Sequence, residues 1–427
     1  MRPRPRHPAH QLTSAHLQAA YPFMGEGGLG GRGVYIGRDV YSGASFCFDP
    51  WVLYEQGTLT GPSALVAGQV GRGKSALVKT YLARQALFGR RAVVIDPKGE
   101  YGPLAEWFGS RPIRLVPGGE VRLNPLDAAG GREERVALLG ALVAGSLRRA
   151  LEPQEHTALD LAYRAASVGG APTLPAVQHH LLHPATEAAT SIAVGAEDLA
   201  TYGRGCALEL RRLCEGDLHG MFDGPTSKGV ELDAPIVVLD LSALHGSPAM
   251  GVLMVCVSAW LSGRLVRDDG VKRLVVLDEG WAVLADPAAA TFLQRSWKLA
   301  RSYGVANMLV IHRLSDLAAA GDAGSREAKI AQGLLSDSET RIILAQSPAD
   351  LEATREMVGL TGTEVDHVAT LPRGVALWKV GERSFVVEHR LSRAERALVD
   401  TDARMRANPD GFPASQREKT GTQGCSS

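Results

Sequence analysis

Eight consecutive residues, Gly68-Gln69-Val70-Gly71-Arg72-Gly73-Lys74-Ser75, fit the pattern G-x-x-x-x-G-K-[ST] in full. Each residue type suits the holding of a nucleotide's phosphates. Glycines let the backbone turn tightly and aim its N–H groups at phosphate oxygens. A helix that opens at the lysine, with Ala76 in its first turn, adds the partial positive charge of its amino end. The Lys74 ammonium would neutralise β/γ oxygens, and the Ser75 hydroxyl would serve Mg²⁺. The surroundings fit: the apolar run Ala64–Ala67 precedes the loop, and Ser75–Leu87 follows with helical spacing. Residues Gly68 to Ala76 are therefore the expected site for ATP. A second glycine-rich stretch, Gly25 to Gly33, lacks a following Lys-Ser/Thr and reads as a flexible joint.

A phosphate loop needs acids opposite it. The run Arg273-Leu274-Val275-Val276-Leu277-Asp278-Glu279 is an apolar strand ending in two carboxylates, about 200 residues downstream of Lys74. Asp278 at the strand tip would hold the Mg²⁺ shell through water. Glu279 would orient or deprotonate the attacking water, which suits an enzyme that hydrolyses its nucleotide rather than a kinase that excludes water. A third charged run, Asp96-Pro97-Lys98-Gly99-Glu100-Tyr101, follows the strand Arg91–Ile95. Loops at the carboxyl ends of parallel strands form the ligand crevice, yet Pro-Lys-Gly is also an ordinary solvated turn, and the residues alone leave both open. In Phe292–Tyr303, Arg295, Lys298 and Arg301 recur at i, i+3 and i+6 and would share one helix face.

The elements that must position these groups alternate regularly. Strand-like runs at Ala64–Ala67, Arg91–Ile95 and Ile113–Leu115 interleave with helical spacing, then resume at Ile236–Leu239, Leu274–Leu277, Met308–Ile311, Arg341–Leu344, Val375–Lys379 and Phe385–Glu388. Strand–helix–strand order predicts an α/β fold with a mostly parallel sheet covered on both faces. Between them, residues 132–220 carry helical periodicity, with helices expected at Glu133–Leu147, Gln154–Ala166 and Thr201–Leu213. The division expected is a flexible arm and short strand-rich lead-in over 1–60, the first part of the core over 61–127, an all-α insertion over 128–232, the second part of the core over 233–403, and a disordered tail over 404–427. The chain of 427 residues has length for two or three domains.

Composition excludes several classes. With 45% apolar and 22% charged residues the chain can bury a core, so it is not a disordered one. Its 46 basic and 46 acidic residues cancel, so no net charge points to nucleic acid or to an acidic lipid surface. The five cysteines are scattered without a C-x-x-C, which predicts neither a disulfide framework nor a zinc site and suits a reducing setting. The most apolar stretch, Ala249–Leu261, is about thirteen residues long, short of the ~20 a spanning helix needs.

The loop GQVGRGKS, then VVIDPKGEY, then Leu123-Asn124-Pro125-Leu126-Asp127, a helical insertion, and VVLDEGW ending at Trp281 together resemble the conjugation and type IV secretion ATPases. These form part of the HerA–FtsK superfamily of RecA-like P-loop motors. Leu151-Glu152-Pro153, Gly220-Met221-Phe222-Asp223-Gly224, Val238–Ser242 and the stretch from Thr340 to Val365 also match, so the resemblance runs from about 22 to 403. It implies a RecA-like core that binds MgATP and hydrolyses it as a homo-oligomeric ring, a hexamer, in conjugative transfer or type IV-like secretion. The place implied is the cytoplasm, peripheral to the inner face of the membrane beside secretion components. Within the same superfamily a DNA translocase or coupling ATPase is the alternative, and a nucleotide-binding scaffold without turnover is a second. Ring ATPases of this kind present an arginine to the neighbour's γ-phosphate, which implies Arg301 first and Arg295 second, with Arg341 a further candidate. Two features depart from the family. Fewer than seventy residues precede Gly68, so docking to membrane components is expected to run through another chain. The strand after the two acids ends in Ile311-His312-Arg313 instead of Thr-Gln, which passes γ-phosphate sensing to Arg313 or Gln346.

Overall fold

The computed structural model describes residues 28–127, 131–147, 149–230, 232–247, 249–265, 269–280, 303–312 and 337–399, with Ala290, Gln294, Trp297, Lys298 and Gly333. The expectations for the amino-terminal arm, the carboxyl tail, Trp281, Arg295, Arg301 and Arg313 lie outside the described residues.

The described strands are β1 (Val34–Asp39), β2 (Ser45–Phe48), β3 (Ala64–Ala67), β4 (Arg91–Asp96), β5 (Ile113–Arg114), β6 (Ile236–Asp240), β7 (Arg273–Leu277), β8 (Val305–Ile311), β9 (Thr340–Leu344), β10 (Val375–Val380) and β11 (Arg383–His389). They form one sheet in the order β2-β1-β11-β10-β9-β3-β8-β7-β4-β6-β5. From β5 to β9 every neighbouring pair is parallel. From β9 to β2 every pair is antiparallel. The fold is thus α/β with a large, mostly parallel sheet of RecA-like type.

Alternation along each central strand feeds two cores, one on each face. Leu65, Ala67, Val93 and Ile95 enter one core, while Ala64, Val66, Ala92 and Val94 enter the other. Side chains two apart share a face, and burial on both faces is why these strands read as unbroken apolar runs. The helix Lys74–Leu87 and the helix Gly102–Trp107 cover one face. The apolar helix Met250–Leu265 and the segment between β5 and β6 cover the other.

Between β5 and β6 the described residues form the helices Arg132–Leu147, Pro153–Ala166, Leu174–Leu182, Thr186–Thr190 and Ala196–Arg211, and a wider turn Arg212–Asp217. Their root is the Leu123–Asp127 run. Asn124 donates its amide N–H₂ to the Pro172 carbonyl at 2.9 Å, and its backbone N–H to Thr226 Oγ1 at 3.0 Å. Thr226 donates in turn to Asp127 at 2.7 Å and accepts from the Trp260 indole at 3.0 Å.

The short strands expected before residue 60 join the main sheet. β1 pairs with β11 from the far end of the chain, so β1 and β2 extend the main sheet. The reason is apolar: Phe46 and Phe48 pack on Trp378 with ring centroids 5.2 Å apart, and Phe46 on Phe385 at 5.2 Å. Gly37 permits the pairing, because a Cβ there would lie 1.9 Å from the Glu388 carbonyl oxygen.

Candidate functional site

Parallel register brings the carboxyl ends of the central strands to one edge. Ala67 lies opposite Ile311, Leu277 opposite Leu309 and Ile95, and Asp96 opposite Asp240. Chain leaving each strand there enters a common crevice, where ligands of such sheets bind.

The glycine loop leaves β3 and is held on both sides. Gln69 donates its N–H to the Ala345 carbonyl at 3.0 Å, and Gly374 donates to the Arg72 carbonyl at 3.1 Å. Gly71 and Gly73 have φ of +79° and +106°, the left-handed region that only glycine enters freely. Gly73 thereby caps the helix Lys74–Leu87. Val70 and Arg72 lie between these glycines, and Val70 is exposed. Lys74 is buried, and its ammonium donates to the carbonyls of Gly68 and Gln69, the latter at 3.0 Å. Burial lowers its pKa to about 8, against the opposing pull of Asp278 and Glu279. Ser75 and Ala76 follow in the first turn, half-buried.

Asp278 caps β7 with its N–H on the Ile95 carbonyl at 3.2 Å. Its carboxylate is buried and accepts the Glu279 N–H at 3.0 Å. Burial first, and Glu279 second, push its pKa up to about 7. Such a carboxylate is stabilised by an added cation. Among the described residues no three His, Cys, Asp or Glu side chains converge on one point. A cation held by Asp278 and Ser75 would draw its remaining ligands from phosphate and water, the habit of Mg²⁺. Both the loop and the acid therefore fit MgATP.

Glu279 is buried, and two side-chain nitrogens meet the same oxygen, Oε1. One is the Lys98 ammonium at 2.6 Å, and the other is the His312 imidazole. Lys98 and His312 are 2.9 Å apart. Lys98 is presented by a fixed turn: Asp96 accepts the N–H groups of Lys98 at 3.2 Å, Gly99 at 2.9 Å and Tyr101 at 2.8 Å. Tyr101 is fully buried, and the ammonium of buried Lys79 lies 5.4 Å from its ring centroid. The D-P-K-G-E-Y run is thus built around its first aspartate, and its lysine enters the crevice.

Sequence reasoning missed this convergence. His312 reads as structural from its strand end, and Lys98 as an undecided turn residue. Each lies on a different strand exit, so no spacing reveals that they meet. Gln346, at the exit of β9, is buried with neither amide oxygen nor nitrogen hydrogen-bonded. Arg341 lies toward the opposite end of its strand. Its guanidinium donates to the carbonyls of Ser338 at 3.1 Å and Val358 at 2.9 Å, which ties it to its own chain. Lys298 is described and pairs with Asp337 at 3.8 Å, while Arg295 and Arg301 beside it are not.

A scan against protein-family models and a search of curated proteins both find no match. Solved structures do match. VirB4 of Thermoanaerobacter pseudethanolicus is 25% identical with a TM-score of 0.70, over 86% of this chain and 98% of that one. The plasmid coupling protein TrwB in complex with ADP and Mg²⁺ is 16% identical with a TM-score of 0.55, over 78% of this chain and 86% of that one. TrwB bound to a non-hydrolysable ATP analogue gives 18% and 0.54 over 78% and 86%. The likeness bears out the resemblance carried by the motifs: the chain shares its structure with conjugation and type IV secretion P-loop ATPases of the HerA–FtsK superfamily.

Proposed function

We propose that this chain is an ATP-hydrolysing motor of conjugative transfer or type IV-like secretion. The observation that carries the reading is that the Lys74 loop and the Asp278-Glu279 pair leave the same edge of the sheet, where the central parallel strands end. The backbone N–H groups of the Gly68–Ala76 loop bind phosphate oxygens. Lys74 exchanges its two loop carbonyls for the β and γ oxygens. Ser75 and Asp278 hold Mg²⁺, which supplies positive charge to the phosphates when bound. Glu279 takes a proton from water as that oxygen bonds to the γ-phosphorus. The bond from the γ-phosphorus to the bridging oxygen then breaks, its electron pair leaving with ADP. Arg301 or Arg295 of a neighbouring copy would complete the charge in a hexameric ring.

The wider assignment follows from the shared architecture. Among the described residues no helix is long and apolar enough to cross a membrane. In this reading the motor works at the inner face of the membrane beside secretion components. The helical segment within 128–232 would act as a module beside the core.

Lys74→Ala tests the reading directly. Phosphate release should fall by at least ~100-fold with the far-ultraviolet dichroism unchanged, since one charged contact to the reacting group is worth several kcal/mol. Turnover at the wild-type rate would refute the assignment. Strong stimulation by DNA would move the chain to the translocase reading. Nucleotide binding without turnover in the wild type would make it a scaffold.

A further inference from the structure

We propose that Lys98 is the group through which the site tells ATP from ADP: it is bound to the Glu279 carboxylate in the structure described here and transfers to the γ-phosphate when ATP enters. This rests on the ATPase reading, and adds to it a residue and a sequence of contacts that the phosphate-loop motif does not contain.

Three observations support it. First, Lys98 and His312 both meet a single oxygen of Glu279, and the two nitrogens stand 2.9 Å from each other. Nε2 can accept from Lys98 while the lysine is present, and with its proton on Nε2 the imidazole donates to the same carboxylate oxygen once the lysine leaves. The lysine can leave without stranding the carboxylate, because the imidazole remains. His312 Nδ1 is buried without a hydrogen bond, so Nε2 is the nitrogen the ring commits to the site.

Second, the turn's backbone is pinned while the lysine side chain lies partly open to solvent. Asp96 fixes the backbone of the turn through three N–H groups. The Lys98 side chain is 27% exposed and the Glu279 side chain 6%, so the lysine reaches in from the open side of the crevice. A lysine is a compact charge on a flexible stem, suited to exchanging one anion for another.

Third, Lys98 is near the phosphate loop. It leaves the carboxyl end of β4, and the phosphate loop leaves that of β3, at one edge of the parallel sheet. An arriving γ-phosphate brings more negative charge than the single carboxylate. ADP lacks that group and leaves Lys98 where it is.

The consequence is ordered activation. While Lys98 holds Glu279, its ammonium occupies carboxylate oxygen Oε1. Transfer of Lys98 to the γ-phosphate frees the base in the same event that stabilises the reacting group. His312 is then a positioning residue, keeping the freed carboxylate directed at the water.

The test compares affinities of the full chain for ATPγS and ADP, read by displacement of a fluorescent ADP in the presence of Mg²⁺. Lys98→Met should weaken ATPγS by about tenfold, the scale of one charged hydrogen bond, and leave ADP unchanged. Unchanged ADP binding also shows that the variant is folded. Lys98→Arg should keep the preference for ATPγS. Glu279→Gln should bind ATPγS more tightly than wild type, because the lysine is no longer held, and adding Lys98→Met should abolish that gain. An unchanged ratio of the two affinities in Lys98→Met would overturn the proposal, as would equal losses for both nucleotides. If Lys74→Ala loses nucleotide while Lys98→Met keeps the wild-type ratio, the inference falls and the ATPase reading stands. If Lys74→Ala binds ATPγS like the wild type, both fall.

Discussion

Glu279 has φ of +53°, one of two non-glycine residues in the left-handed region among those described. Its neighbour Gly280 could carry no side chain, since a Cβ would lie 2.1 Å from Leu309 Cδ1. The backbone therefore turns sharply as it leaves β7, with the Glu279 N–H on Asp278 and the Gly280 N–H on the Val310 carbonyl at 3.1 Å. That turn directs the glutamate toward Lys98 and His312 and holds the chain in a conformation costing a side chain roughly 1–2 kcal/mol. The strain gives a prediction with an unusual sign. In most backbone settings glycine is less stable than alanine. Here Glu279→Gly should melt above Glu279→Ala, by about 1 kcal/mol of unfolding free energy in denaturant titration, with both inactive. The ordinary order, alanine above glycine, would show that the turn is relaxed and that the glutamate is not held by backbone strain.

At the scale of elements, the helix that carries Lys74 is anchored by the antiparallel end of the sheet. Arg84 donates to Glu395 at 2.7 and 2.8 Å, to the carbonyls of Tyr35 at 2.6 Å and Ile36 at 3.2 Å, and to that of Arg390 at 2.6 Å. One turn earlier, Thr80 meets His389 Nε2 at 2.8 Å. Burial, and then the Arg84 charge, lower the His389 pKa to about 4. Burial alone would raise the Glu395 carboxyl, but Arg84 and the cap at Ser392 bring it down to about 2. Glu395 thus stays ionised where His389 titrates. The unfolded chain binds a proton on this histidine near pH 6.5 and the folded chain only near 4, so stability is full above 6.5 and lost as pH falls through that window. The loss should be on the order of 2–3 kcal/mol, read as a falling denaturation midpoint. His389→Gln should flatten the slope between pH 6.5 and 4; an unchanged slope would show that other groups carry it.

The same region shows what the chain made legible and what it did not. Strands such as Ala64–Ala67 and Arg273–Leu277 stand out because burial on both faces demands short apolar runs between breakers. The phosphate loop is legible because its chemistry is contiguous. The pairing of β1 with β11 joins residues some 350 apart and leaves no local trace, so Val34–Asp39 reads only as a lead-in. That Lys98 and His312 meet Glu279 does not stand out, for a similar reason. Parallel register unites them, and register is a property of the sheet, not of any one strand.

For the molecule as a whole, the question is whether one chain holds a complete site. Lys74 approaches the phosphates from the loop, and Lys98 from the tip of β4. Buried Lys79 is spent beside Tyr101, so neither it nor Arg341 serves the outward side of a γ-phosphate. If that side is served by Arg301 or Arg295 of a neighbour, hydrolysis per chain should rise with protein concentration as copies assemble. Mixing variants separates what a chain supplies to itself from what it lends. A Lys74→Ala chain keeps Arg301, and an Arg301→Ala chain keeps an intact loop. Mixed, the second can receive the first's arginine, and some activity should return; Arg295→Ala is tested likewise. Lys74→Ala mixed with Lys98→Met should show no more activity than the two variants summed, because both lysines belong to the same chain's site and neither can be lent. Rescue in the arginine pair without rescue in the lysine pair is the pattern a shared site requires. Flat specific activity across the assembly transition, with no rescue by either arginine, would mean that Lys98 and Lys74 suffice and that each chain works alone.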